Sequence, residues 1–169
     1  LKVENLFFSY KNDQNLIKNL SFSINAGEKI GIIGANGRGK TTLVKLLSGI
    51  LEKKESEVIF NNNVESAVYV QDFLDELNDN NTVADEIFYE NTDLDRTRVR
   101  SICGAMLFTG DDALKPISVL SGGERSRVML GKLLAKPANL LFLDEPTNHL
   151  DMDSCDALVS ALDNFSGAV

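Results

Sequence analysis

Cysteine, histidine and long apolar runs are scarce in this sequence, and each shortage excludes something. The two cysteines, Cys103 and Cys155, stand far apart without C-x-x-C spacing, and His149 is the one histidine among 169 residues. That leaves no His/Cys set for zinc, and the two thiols read as small core residues in a reducing compartment. No apolar stretch approaches the ~20 residues a membrane-spanning helix needs. The first ten residues, LKVENLFFSY, alternate and carry charge early, unlike a secretory signal. The expectation is a cytoplasmic protein without membrane insertion. Positive charge is short as well, with 17 Lys and Arg against 25 Asp and Glu for a net charge of −8. That argues against a direct nucleic-acid patch, while leaving open a partner that contacts RNA through segments outside this chain. What remains is 43% hydrophobic and 25% charged, enough for a single domain, residues 1–169, with a buried core.

Against this background residues 34–42, GANGRGKTT, stand out. Gly34, Gly39, Lys40 and Thr41 satisfy G-x-x-x-x-G-K-[ST], a pattern expected by chance in roughly one chain of this length in two hundred. Residues 29–33 (KIGII) read as a short buried strand entering the loop, and residues 42–48 (TLVKLLS) as the helix leaving it. Strand, glycine loop and helix together aim backbone N–H groups and a positive helix end at an anion.

The rest of the chain divides into recognisable elements. Residues 2–10 form a strand, 11–15 a polar turn, and Leu20, Phe22 and Ile24 mark the returning strand of an antiparallel element. Tyr10 ends the first strand; it could stack on a base, though capping the hairpin's apolar edge is the simpler reading of its spacing. Residues 57–60 and 66–70 are two short strands joined by three asparagines, and Gln71 follows directly at a strand end, where open α/β sheets meet ligand. Residues 72–81 are acidic and Asn-rich without metal-ligand spacing. Thr82 caps a helix over 83–89, and 95–108 is a second helix whose Val99, Ile102, Cys103, Met106 and Leu107 make a core stripe. Ser121 and Glu124 form an S-x-x-E capping box for a helix over 121–135. The box does not explain Gly122 and Gly123, which weaken a first turn by ~1 kcal/mol each unless its N–H groups must lie against something anionic. After Pro137, residues 140–143 (LLFL) are an apolar strand ending in Asp144 and Glu145, a buried strand terminating in two carboxylates. Asp151 caps a last amphipathic helix over 151–162.

Taken in order, these motifs resemble the nucleotide-binding domain of ATP-binding cassette (ABC) proteins over essentially the whole chain. Residues 34–42 match the Walker A motif, Gln71 the Q-loop, LSGGER (120–125) the family signature, LLFLDE (140–145) Walker B, and Asp151 the D-loop; Tyr10 falls at the adenine-stacking aromatic. DEPTNHLD (144–151) is similar to the ABC-F group, whose members carry two cassettes in one chain and act on the ribosome as translation factors. The implied fold is α/β: a P-loop NTPase core with a parallel sheet, an N-terminal antiparallel β element and an inserted helical lobe. On that plan residues 1–71 and 136–169 are the nucleotide core and 72–135 the helical subdomain. Two departures accompany the resemblance. The family continues into a strand ending in a switch histidine, so the chain reads as a cassette truncated before that residue, or one half of a longer protein. Arg38 also stands where a small residue is usual, and its side chain is expected to point off the phosphates.

The resemblance implies ATP and Mg²⁺ as cofactors and assigns roles. Nucleotide would be held by Tyr10, Gly34, Asn36, Gly37, Gly39, Lys40, Thr41 and Thr42. The metal would be held by Thr41, Gln71 and Asp144. Glu145 would orient the attacking water with Gln71 coupling it to the helical lobe. Ser121, Gly122 and Gly123 would complete the site of a second cassette, in the same chain or a homodimer, arranged head to tail. The implied activity is ATP hydrolysis that needs the second cassette, weak in the isolated chain. The implied setting is a ribosome-associated ABC-F ATPase, with the ATPase subunit of a membrane transporter as the alternative.

Overall fold

The computed structural model describes residues 1–10, 16–52, 57–70, 77–148 and 150–169. The expected turn at 11–15, Gln71 and His149 lie outside the described residues. The fold is mixed α/β, with one antiparallel and one parallel sheet. Contacts divide the chain into two compact units. The first holds Leu1–Val68, Ala138–Asp144 and Ser166–Val169, and the second Tyr69–Pro137 and Glu145–Phe165.

In the first unit, β1 (Lys2–Phe8) pairs antiparallel with β2 (Ile17–Ser23) on one side and with β3 (Glu57–Ile59) on the other. Its register slips between Val3 and Leu6 and again before Phe8. The slips are accommodated by left-handed backbone at Asn5 (φ 50°) and Asn19 (φ 51°), a conformation that asparagine tolerates better than most side chains. The returning strand and the strand at 57–59 match the alternation in the sequence. The strand at 66–69 joins a different sheet: β4 (Ser66–Tyr69) lies beside β5 (Leu140–Leu143). Ala168 adds a parallel step next to Leu140. Helix α1 (Lys40–Leu47) lays Val44, Leu46 and Leu47 against Val3, Leu6, Ile17, Leu140 and Phe142.

Residues 29–33 depart from expectation. They form no strand, and Ile30, Ile32 and Ile33 are 43%, 43% and 98% exposed. A strand is made by its ladder as much as by its residues. Here the ladder amounts, among the described residues, to Ile30 N–H donating to the Val169 carbonyl (2.8 Å) and Val169 N–H donating to that of Glu28 (2.9 Å).

The second unit is helical. Helix α2 (Val83–Glu90) begins at Thr82, whose hydroxyl accepts from Asp85 N–H, and α3 (Arg96–Ala105) begins at Asp95, whose carboxylate accepts from Arg98 N–H. Two 3₁₀ turns, Gly110–Leu114 and Ile117–Val119, lead into α4 (Gly122–Ala135), and α5 (Met152–Asp163) is capped by Asp151. Val99, Ile102, Cys103 and Met106 are buried as their stripe requires. Leu107, placed in the same stripe by its spacing, is instead 40% exposed. It sits at φ 63° just past the end of α3, where its N–H reaches the Gly104 carbonyl and Phe108 N–H that of Cys103. This is the Schellman closure. It turns the chain so that Phe108, 3% exposed, fills the core in place of Leu107. Burial in that core pushes the Cys103 thiol pKa up.

Helices α2 and α4 pack closely through Gly131, where an added Cβ would lie 2.8 Å from Ile87 Cδ1. A buried ion pair joins them too. Glu86 accepts from Lys132 Nζ (2.8 Å) and from Asn81 Nδ2 (2.7 Å), and Lys132 and Lys136 both reach Glu90.

Candidate functional site

The glycine loop adopts the geometry its sequence requires. Gly37 (φ 74°) and Gly39 (φ 89°) are both left-handed, a conformation costly for residues with a Cβ. At Gly39 a Cβ would also meet the Leu16 side chain at 3.0 Å, whereas at Gly34 and Gly37 it would meet open space. Gly39 is the N-cap of α1, makes no side-chain cap, and is followed by no acidic residue in the first turn. The first-turn N–H groups of α1 are thus uncapped, beside a positive helix end, which is the chemistry an anion binds. Lys40 Nζ donates to the carbonyls of Gly34 (2.9 Å) and Ala35 (3.1 Å), so the ammonium stays over the loop. Asn36 and Arg38 are exposed around it.

Two long-range contacts converge on the start of α1. Thr41 Oγ1 donates to Asp144 Oδ1 at 3.1 Å, across 103 residues of sequence. Strand β5 explains the position of Asp144: Leu140, Leu141 and Phe142 are buried, and the chain leaves the sheet as soon as the apolar run ends. A hydroxyl and a carboxylate in contact, next to a lysine and uncapped N–H groups, suit a hard divalent cation carried by a polyphosphate. Among the described residues no group of three or more His, Cys, Asp or Glu is placed to hold a metal ion.

The second contact involves Tyr10. Its hydroxyl lies 3.2 Å from Thr42 Oγ1, and its ring meets Phe8 edge-on at 4.9 Å. The Phe8 contact is the packing that the simpler reading of Tyr10 expects. Tyr10 closes the apolar edge beside Phe8, and it stands at the glycine-loop helix with its side chain 51% exposed. Thr42 is buried, 8% exposed, with its hydroxyl turned to Tyr10, so its own contribution to a ligand would be its backbone.

The second unit carries the signature and the other acid. Ser121 Oγ accepts from Glu124 N–H (3.3 Å) while Glu124 Oε2 accepts from Ser121 N–H (2.8 Å), the reciprocal box read from the sequence. Hydrogen bonds from Ser121, backbone first and then hydroxyl, hold the Glu124 carboxyl below its ordinary value. At Gly122 an added Cβ would meet nothing within 4 Å, so packing inside this chain does not demand a glycine there. Asp151 is held below its ordinary value by the hydroxyl and amide of Ser154. Glu145 follows Asp144 with left-handed backbone, φ 49°. Asn148 N–H donates to the Glu145 carbonyl at 3.1 Å, and Asn148 Nδ2 donates to its carboxylate Oε2 at 2.7 Å. Asn148 is a residue that motif reading passes over. The signal that could have found it is an amide side chain three residues after a carboxylate in a Pro-containing turn.

Comparison with known proteins places the chain in a family. The family model described as ABC transporter matches residues 17–148. Over its whole length the chain is 41% identical to the putative ATP-binding protein YdiF of Bacillus subtilis, covering 26% of that protein. It is 42% identical over 171 aligned residues to the energy-dependent translational throttle protein EttA of Haemophilus influenzae, 99% of this chain and 30% of that one. ABC transporter F family member 3 of Arabidopsis thaliana is 36% identical over 162 residues, 96% of this chain and 23% of the relative. The chain thus spans about a quarter to a third of the length of these relatives. Among solved structures, an ABC transporter ATP-binding protein from Pyrococcus furiosus superposes with a TM-score of 0.83 at 20% identity, covering 99% of this chain and 90% of the other. A bacterial Atm1-family ABC exporter gives 0.79 at 22% identity, covering 99% and 33%. No helix among the described residues is long and apolar enough to cross a membrane. With a family model matching most of its length, and the glycine loop and Asp144 in contact, the chain belongs to the ABC transporter family as one of its ATP-binding domains.

Proposed function

We propose that this chain binds ATP with Mg²⁺ at the glycine loop and hydrolyses it together with a second cassette, as part of a cytoplasmic ABC-F ATPase that acts on the ribosome. The observation that carries the binding reading is the 3.1 Å contact between Thr41 and Asp144. It joins the end of the glycine loop to the end of an apolar strand, and neither group has a structural need for the other at a surface. Lys40, the N–H groups from Gly37 to Thr42 and the α1 dipole hold the β- and γ-phosphates. Asn36 and Gly34 shape the loop, and the Tyr10 ring stacks on the base. Thr41 and Asp144 hold the metal, directly or through water, and Gln71 joins them. The bound metal would neutralise charge developing on the phosphate oxygens. Glu145 orients the attacking water, so the residues work by positioning and charge stabilisation more than by covalent chemistry.

The open space at Gly122 supports the reading that Ser121, Gly122 and Gly123 present first-turn N–H groups to the nucleotide of a partner cassette. ATP then holds two cassettes together, and hydrolysis releases them. The ribosomal setting is supported by the likeness to EttA, whose name describes a translational throttle, and by the PTNHLD sequence at 146–151. In the full-length protein, Glu145→Gln should keep ATP binding while lowering hydrolysis by about 100-fold or more, in line with loss of a catalytic positioning group. It should also co-sediment with ribosomes in ATP. Normal cycling by this variant would reject Glu145, and ATP-dependent association with a membrane permease in place of ribosomes would favour the transporter reading.

A further inference from the structure

Among the described residues, four other than glycine have left-handed backbone: Asn5, Asn19, Leu107 and Glu145. Two are asparagines in a slipped strand pair, and Leu107 closes a helix end. Glu145 has neither excuse. A glutamate is an unfavourable choice for this region, and such strain persists where surrounding contacts over-determine it. Here both contacts come from one residue. Asn148 donates its backbone N–H to the Glu145 carbonyl (3.1 Å), closing the turn, and its side-chain Nδ2 to Glu145 Oε2 (2.7 Å). Both side chains are exposed, so no core packing would otherwise order a carboxylate with three rotatable bonds. Among the described residues, Glu145 Oε1 has no hydrogen-bond partner.

We propose that Asn148 is a positioning residue for ATP hydrolysis: its amide fixes Oε2 of Glu145 and so presents Oε1 to the attacking water. The amide takes up no proton at neutral pH and acts only through Glu145. It is the group in this turn that converts a flexible surface carboxylate into a preorganised one. This inference rests on the role proposed above for Glu145.

The test uses the full-length protein and compares Asn148→Ala, Asn148→Asp and Glu145→Gln. Asn148→Asp keeps the shape of the side chain but replaces the N–H donor with a second carboxylate beside the first, and Asn148→Ala removes the contact. Both should lower kcat by about 10- to 100-fold, the scale of losing one orienting contact. The dissociation constant of a fluorescent ATP analogue, and the unfolding midpoint, should stay within about two-fold and a few degrees of the parent. In a Glu145→Gln background neither change should lower the residual rate further, because residues acting as a unit are non-additive. Parent-like kcat in Asn148→Ala and Asn148→Asp, an equal loss of nucleotide affinity, or an additive loss on top of Glu145→Gln would each overturn the proposal while leaving the role of Glu145 intact. Full turnover by Glu145→Gln alone would overturn the role of Glu145, and the Asn148 proposal with it. A raised kcat in Asn148→Ala would show the contact to be a restraint on the base, which also overturns it.

Discussion

Tyr10 combines an observed packing contact with the base-stacking role proposed for it. Its edge meets Phe8 and its hydroxyl meets Thr42, yet half the side chain remains exposed. The hydroxyl contact is partly solvated and contributes little to net stability, so what matters for a bound base is the ring. Tyr10→Phe should therefore bind ATP within about two-fold of the parent, and Tyr10→Ala should weaken binding by about 5- to 150-fold, from stacking worth ~1–3 kcal/mol. Calorimetric titration with ATP distinguishes the two, and a parent-like Tyr10→Ala would confine Tyr10 to closing the hairpin edge. At this scale much was legible in advance. The Ser121–Glu124 box and the Asp151 cap each depend on residues within one turn of the chain. Asn148 was not, because the meaning of an asparagine in a turn depends on which carboxylate its amide finds.

Among the elements, α2 and α4 are the pair with most at stake, because α4 carries the signature at its start. They meet at Gly131 and through a buried charge cluster. The Glu86 side chain is 5% exposed and that of Lys132 15% exposed, so removing one partner strands a charge. Lys132→Met should destabilise the chain by about 3–5 kcal/mol, and Glu86→Leu combined with Lys132→Met should recover most of that loss. Denaturant unfolding of the two variants tests this; equal losses in both would show that the ion pair itself is the stabilising term. The helices were readable from their caps and stripes. Leu107 was not, because helical spacing continues in the sequence past the point where the backbone turns left-handed. The buried pair escaped the sequence for a similar reason: Glu86 and Lys132 are 46 residues apart, and each alone reads as surface charge.

At the scale of the molecule, the proposed pairing with a second cassette would take one glycine loop and one signature from this chain. If the signature serves the partner's nucleotide, turnover by residues 1–169 should be slow when dilute and should rise per chain as concentration increases. Steady-state ATPase assays over a hundred-fold concentration range decide this. Robust turnover that is independent of concentration would mean that the chain completes its own site.

What the sequence determined by itself was the chemistry that neighbours along the chain can impose: the glycine loop, the caps at Thr82, Ser121 and Asp151, and the acids that end an apolar strand. Only the tertiary structure decided that Thr41 meets Asp144 and that Tyr10 reaches Thr42. It also decided that the strands at 57–59 and 66–69 belong to different sheets, and that residues 29–33 do not form the strand their apolar pattern led one to expect. Local pattern specifies a residue's conformation and which of its faces is apolar. The backbone partner that satisfies its N–H and C=O groups, and the distant side chain that meets its own, are chosen by how the whole chain buries its apolar surface.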